Sequence, residues 1–240
     1  MTTIVDVLAR AARQCSVDAP SSWVSATDAE HVELRDDFLL ETVEDIAERV
    51  DLPAPISAST VITGDDSTDY TLPSNFRRLQ RDGRAVFETS NQRRPLIPVT
   101  NDGEWTNIQE IGSTGAERYF HVTGYDGNFE INIYDAPSSA DSITVHYVTN
   151  LWMATSGGTT GSAFTDAGDV LLMPRRIVEA GIVWRFRERN GLPATAKRNE
   201  YEMLLNRLSL DSRSRHSVSF GAKATRKPWD VPVPDFIPAS

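Results

Sequence analysis

The side chains best able to do chemistry are scattered along this sequence. Histidines stand at His31, His121, His146 and His216, in four separate segments; there is no HExxH pattern and no cysteine pair, so a metal site has no local support. The single cysteine, Cys15, excludes an internal disulfide, and its place in an apolar helical stripe predicts a buried structural thiol rather than a nucleophile. There is no Walker A loop and no GxSxG elbow; Gly124 to Gly127 reads as a turn, and Gly157-Gly158 precedes no phosphate-binding strand–helix unit. Asp126, Glu130 and Asp135 are the carboxylates that could form an acid/base pair on a β face, and ordinary surface acids explain them as well. The expectation is a non-enzyme with no cofactor and no metal.

Charge is the denser signal. The formal net charge is −10, which argues against wholesale binding to nucleic acid, but it is unevenly spread. Glu33, Asp36, Asp37, Glu41, Glu44, Asp45 and Glu48, preceded by Asp28 and Glu30, are opposed on the same stretch only by Arg35 and Arg49. Such a run is either a solvated helix face or a negative wall that DNA slides past without sticking. In the region from Arg175 to Lys227 basic residues outnumber acids, so a DNA-binding reading competes.

The elements that must carry these residues follow from periodicity. Asp169 to Leu210 reads as two helices joined at Gly191-Leu192-Pro193. Pro174 suits a first turn, Ile177, Gly181 and Trp184 share a face with Val178, Ile182 and Phe186 beside it, and Arg185, Arg187 and Arg189 complement the helix dipole. The second helix, from about Ala194 to Leu210, presents Tyr201, Leu204, Leu205 and Leu208. At the other end, Thr3 and Asp6 start a short helix running to about Ser16, and Thr27 with Glu30 forms a capping box ahead of a long acidic helix to about Val50. Its buried face is Phe38, Leu39, Val43, Ile46 and Val50.

Between Pro55 and Asn150 the pattern alternates, predicting strands at 58–63, 68–72, 84–89, 96–100, 118–125, 128–134 and 142–148, with a tight hairpin at Asp126-Gly127. A single helical turn is expected around Trp105, and a mobile loop over 156–168. The fold expected is α+β: a four-helix bundle (1–55 and 151–210) with an inserted antiparallel β-sandwich or barrel (56–150) and an extended C-terminal tail (211–240). In that tail Arg213, Arg215, Lys223, Arg226 and Lys227 precede WDVPVPDFIPAS, whose Pro232, Pro234 and Pro238 enforce an extended chain. Trp229, Val231, Val233, Phe236 and Ile237 are anchors suited to a partner. No run reaches the roughly 20 apolar residues of a membrane span, and the N-terminus lacks a secretory pattern, so a soluble protein made in a cytoplasm is expected.

The order of features resembles the head-to-tail connector adaptor proteins of tailed bacteriophages. It is carried by Tyr70-Thr71-Leu72-Pro73-Ser74-Asn75-Phe76-Arg77-Arg78-Leu79, by Glu104-Trp105, by Leu171-Leu172-Met173-Pro174 opening a helix with Ala180 and Trp184, and by Gly191 before a helix bearing Tyr201. The Leu-Pro-x-x-Phe run itself is read as ending a strand in a turn, with Phe76 and Leu79 as core contacts. The resemblance implies a dodecameric ring beneath the portal protein, a stopper or tail-tube protein on its other side, and genomic DNA passing through without sequence-specific contact. It implies a virion location at the head–tail interface, with residues 213–240 docking on the portal. A ring would also account for the charge pattern, an acidic surface such as this helix repelling DNA phosphates in the channel, although the sequence does not say which surface faces it. The alternative is a carbohydrate-binding or glycan-processing module using Trp105, Tyr119 and Tyr125.

Overall fold

The computed structural model describes residues 2–81, 85–91, 94–112, 117–125 and 127–215. Helix α1, Ile4–Cys15, begins where Thr3 Oγ1 accepts the Asp6 N–H at 3.2 Å and ends where Ser16 turns left-handed, its N–H directed at the carbonyls of Ala12 and Arg13. Ile4, Val7, Leu8, Ala11, Ala12 and Cys15 form its buried face, and burial pushes the Cys15 thiol up to about 11. The structural thiol expected there is found.

The acidic helix is continuous but not uniform: α2, Ala29–Val32, passes into a π-helical segment, Glu33–Phe38, and then into α3, Leu39–Arg49. The Thr27–Glu30 capping box does not form; Asp28 occupies the cap position without a side-chain cap bond, and its carboxylate faces His31 Nδ1 at 3.2 Å instead. His31 Nε2 in turn bonds the Asp18 carbonyl at 2.7 Å, tying down the loop that enters the helix. In the π segment Arg35 Nη1 donates to the carbonyls of Trp23, Val24 and Ala26, while Leu34, Phe38 and Leu39 all remain buried.

Helix α5 spans Arg175–Arg189 with Pro174 just outside it as the cap residue rather than in its first turn. Gly191, at φ 66, makes the expected stop. Helix α6, Thr195–Arg215, runs beyond the expected end at Leu210. Arg213 and Arg215 are therefore helical residues and not part of an extended tail. The reason is the absence of a breaker, since the first glycine after Leu210 is Gly221.

These helices share one core, in which Ile4, Leu8, Leu34, Phe38, Ile46, Val178, Ile182, Tyr201 and Leu205 lie together with Trp152 and Met153. Helices from both sides of the β region thus bury one another's apolar faces. A second core holds Ile62, Leu72, Phe76, Phe120, Ile131, Ile133, Ile143 and Val145.

The second core lies among the strands β1 (Ser57–Thr63), β2 (Asp69–Thr71), β3 (Phe76–Leu79), β4 (Val86–Glu88), β5 (Arg94–Pro95), β6 (Ile97–Pro98), β7 (Tyr119–Tyr125), β8 (Asn128–Tyr134) and β9 (Ser142–Thr149). One sheet runs β1-β9-β4-β5 with β3 also on β9, the other β2-β8-β7-β6. The β7–β8 hairpin pairs Tyr125 with Asn128 around Gly127 at φ 80; Asp126 lies outside the described residues.

Three sequence expectations are corrected here. The turn after β2 and the core contacts of Phe76 and Leu79 are as expected, but Phe76–Leu79 also forms a strand the alternation did not predict, because it pairs with the distant β9 at Thr149, Val148 and Tyr147. Helix α4, Asp102–Ile111, is a full helix rather than one turn, capped by Asn101 Oδ1 on the N–H groups of Gly103 and Glu104. The 156–168 loop contains β11 (Thr160–Gly161), which pairs with β10 (Met153–Ala154) just before it, and β10 also pairs with β12 (Val170–Leu171) just after it. Asp169, fully buried, organises it by accepting N–H bonds from Ser156, Thr165 and Asp166 at 2.9–3.1 Å.

Candidate functional site

The acidic helix is the surface the sequence singled out, and its carboxylates meet more cations than the helix itself supplies. Asp45 accepts the Tyr201 hydroxyl at 2.5 Å and lies 3.6 Å from both Arg185 and Arg49. Glu41 lies 3.4 Å from Arg185, Glu33 3.6 Å from Arg189, and Asp36 is bidentate to Arg35 at 2.6 Å. Glu44 and Glu48 are each 3.8 Å from Arg77, and Glu48 is 3.6 Å from Arg81. Asp37 has no ion pair among the described residues. Asp36, Asp37, Glu41, Glu44 and Glu48 remain exposed; Glu33 and Asp45 are half-buried.

Arg185 is the hub of this arrangement. Its Nη1 donates to Thr42 Oγ1 at 3.1 Å and to the Gly181 carbonyl at 3.3 Å, and its guanidinium lies over the rings of Trp184 and Tyr201 at 4.6 and 5.5 Å. It binds the acidic helix to the α5–α6 hairpin rather than serving the helix dipole as expected; Arg187 and Arg189 occupy the last turn. Arg35 holds the Asp36 carboxyl below the usual carboxylate range, and Arg49 does the same to Glu202, to which it donates twice at 2.6 and 2.9 Å. Burial pushes the Tyr201 phenol up, and its bond to Asp45 adds to the effect.

The sequence could not show Arg77, Arg81, Arg185 and Arg189 as partners of this face, because each comes from another element. The consecutive Arg77-Arg78 in the Leu-Pro run was the available signal. Arg78 also faces the helices, bonding the Ala47 carbonyl at 3.0 Å and Asp51 at 2.7 Å. Between the acidic helix and the β body lies an open groove of about 580 Å³, lined by Glu44, Glu48, Arg77, Phe76 and Phe129.

The competing sites are less well assembled. Trp105 is buried and stacked on His121 with centroids 5.6 Å apart, so it does not share a platform with the exposed Tyr125. His121 itself bonds the Val99 carbonyl at 2.8 Å and faces Asp102 at 3.1 Å, joining α4 to the sheet. Asp135 is 3.6 Å from Arg118, which also binds Glu88 and Asp141, and Glu130 is exposed on β8. In the basic hairpin Arg175 meets Glu179, Arg176 and Lys197 meet Glu200, and Arg198 meets Glu188, which breaks up the cationic surface a DNA-binding reading needs.

Among the described residues no group of three or more His, Cys, Asp or Glu is placed to hold a metal, and no helix is long and apolar enough to cross a membrane. Lys223, Arg226, Lys227, Trp229, Val231, Phe236 and Ile237 lie outside the described residues.

A search of curated proteins finds no match. A family model described as SU10 adaptor protein matches residues 2–226, a span that takes in both cores, the acidic helix and the first basic residues beyond α6. The chain therefore belongs to the SU10 adaptor protein family and is a structural adaptor of a phage virion, associating with other virion components such as portal and tail.

Proposed function

We propose that this adaptor assembles into a dodecameric ring that joins the portal to a stopper or tail-tube protein and surrounds the path of the DNA. The observation that carries the reading is the family match over nearly the whole chain. The two-core build supports it: the helices form a four-helix base, and the β body is a sandwich projecting from it. Assembly supplies the energy, since apolar surface buried between neighbours contributes roughly 25 cal/mol per Å² before the losses of association.

On this reading the acidic helix, through Asp36, Asp37, Glu41, Glu44 and Glu48, faces the channel. Its charge is largely compensated by arginines of the same subunit, so the surface avoids DNA adhesion by offering few free cations more than by strong repulsion. The C-terminal segment meets the portal, its cations Arg213, Arg215, Lys223, Arg226 and Lys227 on acidic portal surface and Trp229, Val231, Phe236 and Ile237 in a groove.

Electron microscopy of the purified protein, alone and with portal-containing capsids, tests the reading. A ring with an open lumen at the portal vertex is expected, and a monomer that ignores the portal overturns it. A chain ending at Arg215, which leaves α6 whole, tests the docking segment; undiminished attachment to portal particles would remove that part alone.

A further inference from the structure

Among the described residues strand β1 has one bare edge. The Thr149 N–H donates to the Ile56 carbonyl at 2.7 Å and the Gly64 N–H to the Asp141 carbonyl at 3.0 Å. The even-numbered residues of β1 therefore turn their backbone groups towards β9, and the odd-numbered ones turn theirs away. Ser57 reaches back to the Pro53 carbonyl at 3.4 Å, but no backbone partner meets Ser59, Val61 or Thr63 among the described residues.

The strand reads SASTVIT, with no charge, proline or glycine, so it lacks the guards by which natural proteins protect a sheet edge. Val61, 61% exposed, adds an apolar side chain to it. At the corresponding edge of the other sheet, β2 carries Asp69 with Asp65 and Asp66 just before it.

We propose that in the free protein this edge is covered by the chain's own segment Trp229–Ile237, added to β1 as an antiparallel edge strand. The spacing of its prolines is the reason. Pro228, Pro232, Pro234 and Pro238 all fall on even positions, so Trp229, Val231, Val233, Asp235 and Ile237 all keep their N–H groups. In an extended strand alternate residues point to opposite edges, which leaves one edge of this segment with every donor and the other depleted. Such a strand can close a sheet and cannot template a further one. Pairing odd residues with odd residues also sets Val231 and Val233 on the same face as Val61.

Reach and concentration favour the chain's own segment over a neighbour's. Residues 216–228, at about 3.3 Å each, span up to about 43 Å, close to the ~45 Å diameter of a globule this long. A tether of this kind gives an effective concentration on the order of 1 mM, far above that of a second copy in dilute solution. The docked strand is the resting position of the segment, which leaves β1 when it engages the portal.

The test uses the full chain in solution. The double substitution Val61→Cys/Val233→Cys is oxidised; Cys15, buried in the helical core, stays out of the reaction. Closure within single chains is expected. Cross-links between chains overturn the own-chain assignment, and no cross-link overturns the strand pairing. In parallel, hydrogen exchange at Ser59, Val61 and Thr63 is compared between the full chain and one ending at Arg215. With a contact as weak as about 0.1 mM against that effective concentration, the full chain exchanges about tenfold more slowly. Equal rates overturn the proposal, and neither readout depends on ring formation or on the portal.

Discussion

Gly181 of α5 offers the sharpest test of how the acidic helix is held. A Cβ at this position would stand 2.3 Å from Thr42 Cγ2, 2.9 Å from Thr42 Oγ1 and 3.1 Å from Tyr201 Cε2. On an exposed helix, Gly181→Ala would stabilise by about 1 kcal/mol through backbone propensity alone. Here, carbon atoms that prefer about 3.5–4.0 Å would overlap by more than about 1 Å. Thr42 cannot simply turn aside, because its hydroxyl donates to the Phe38 carbonyl at 2.6 Å and accepts from Arg185 at 3.1 Å. Overpacking costs about 1–3 kcal/mol and disturbing these bonds about 1–3 more, so the net loss after the propensity gain of about 1 is about 1–5 kcal/mol. The assay is urea unfolding of Gly181→Ala, Thr42→Ala and the double variant. The double variant is expected to retain about 2 kcal/mol more stability than the sum of the single losses, since the obstructing atoms are gone. Refutation would be a Gly181→Ala protein as stable as its parent, or effects that add within about 0.5 kcal/mol.

Asp169→Asn should cost about 1–3 kcal/mol at neutral pH, because the buried carboxylate satisfies three backbone donors. Although desolvation works to raise its pKa, those three bonds outweigh it and the folded value is lowered. The contribution is thus full above the unfolded value of about 3.9 and is lost as pH falls below it, so unfolding midpoints at pH 7 and pH 3 should differ less in the variant than in the parent. Combining Glu41→Gln, Glu44→Gln and Glu48→Gln should leave Arg77 and Arg81 without their carboxylate partners, while Arg185 keeps Asp45, and raise non-specific DNA retention, with a steeper loss in salt; a salt titration showing no change would argue that this face never meets DNA. Cys15, its thiol raised to about 11, should react with a maleimide at pH 8 at least about a hundredfold more slowly in the folded protein than in urea.

Where a local rule decides the structure, the sequence was a good guide. The Thr3 cap, the Gly191 stop, the Gly127 hairpin and the apolar stripes of α1 and α5 are set by neighbours a few residues away, and they stand where expected. The Thr27–Glu30 box failed because the helix starts one residue later than the pattern requires, with Asp28 at the cap position and Thr27 outside it. The charge pattern misled for a related reason. Counted along one helix, the acids are almost unopposed, whereas Arg77 reaches them from a strand, Arg81 from the bend after it, and Arg185 and Arg189 from a helix far away in the chain. The bare edge of β1 was invisible until pairing on β9 fixed which residues face outward.

The long reach of these contacts has a consequence for synthesis. Arg185 and Thr42 are 143 residues apart and Tyr201 and Asp45 are 156 apart, while the β strands pair largely among themselves. On a ribosome adding residues one at a time, the β body can close while α5 is still being made. Helix α1 and the acidic helix then wait with Ile4, Leu8, Leu34 and Ile46 uncovered until α5 and the Tyr201 turn of α6 emerge. Nascent chains stopped before α6 should accordingly present the N-terminal helices to chaperones, with the β body already folded beside them.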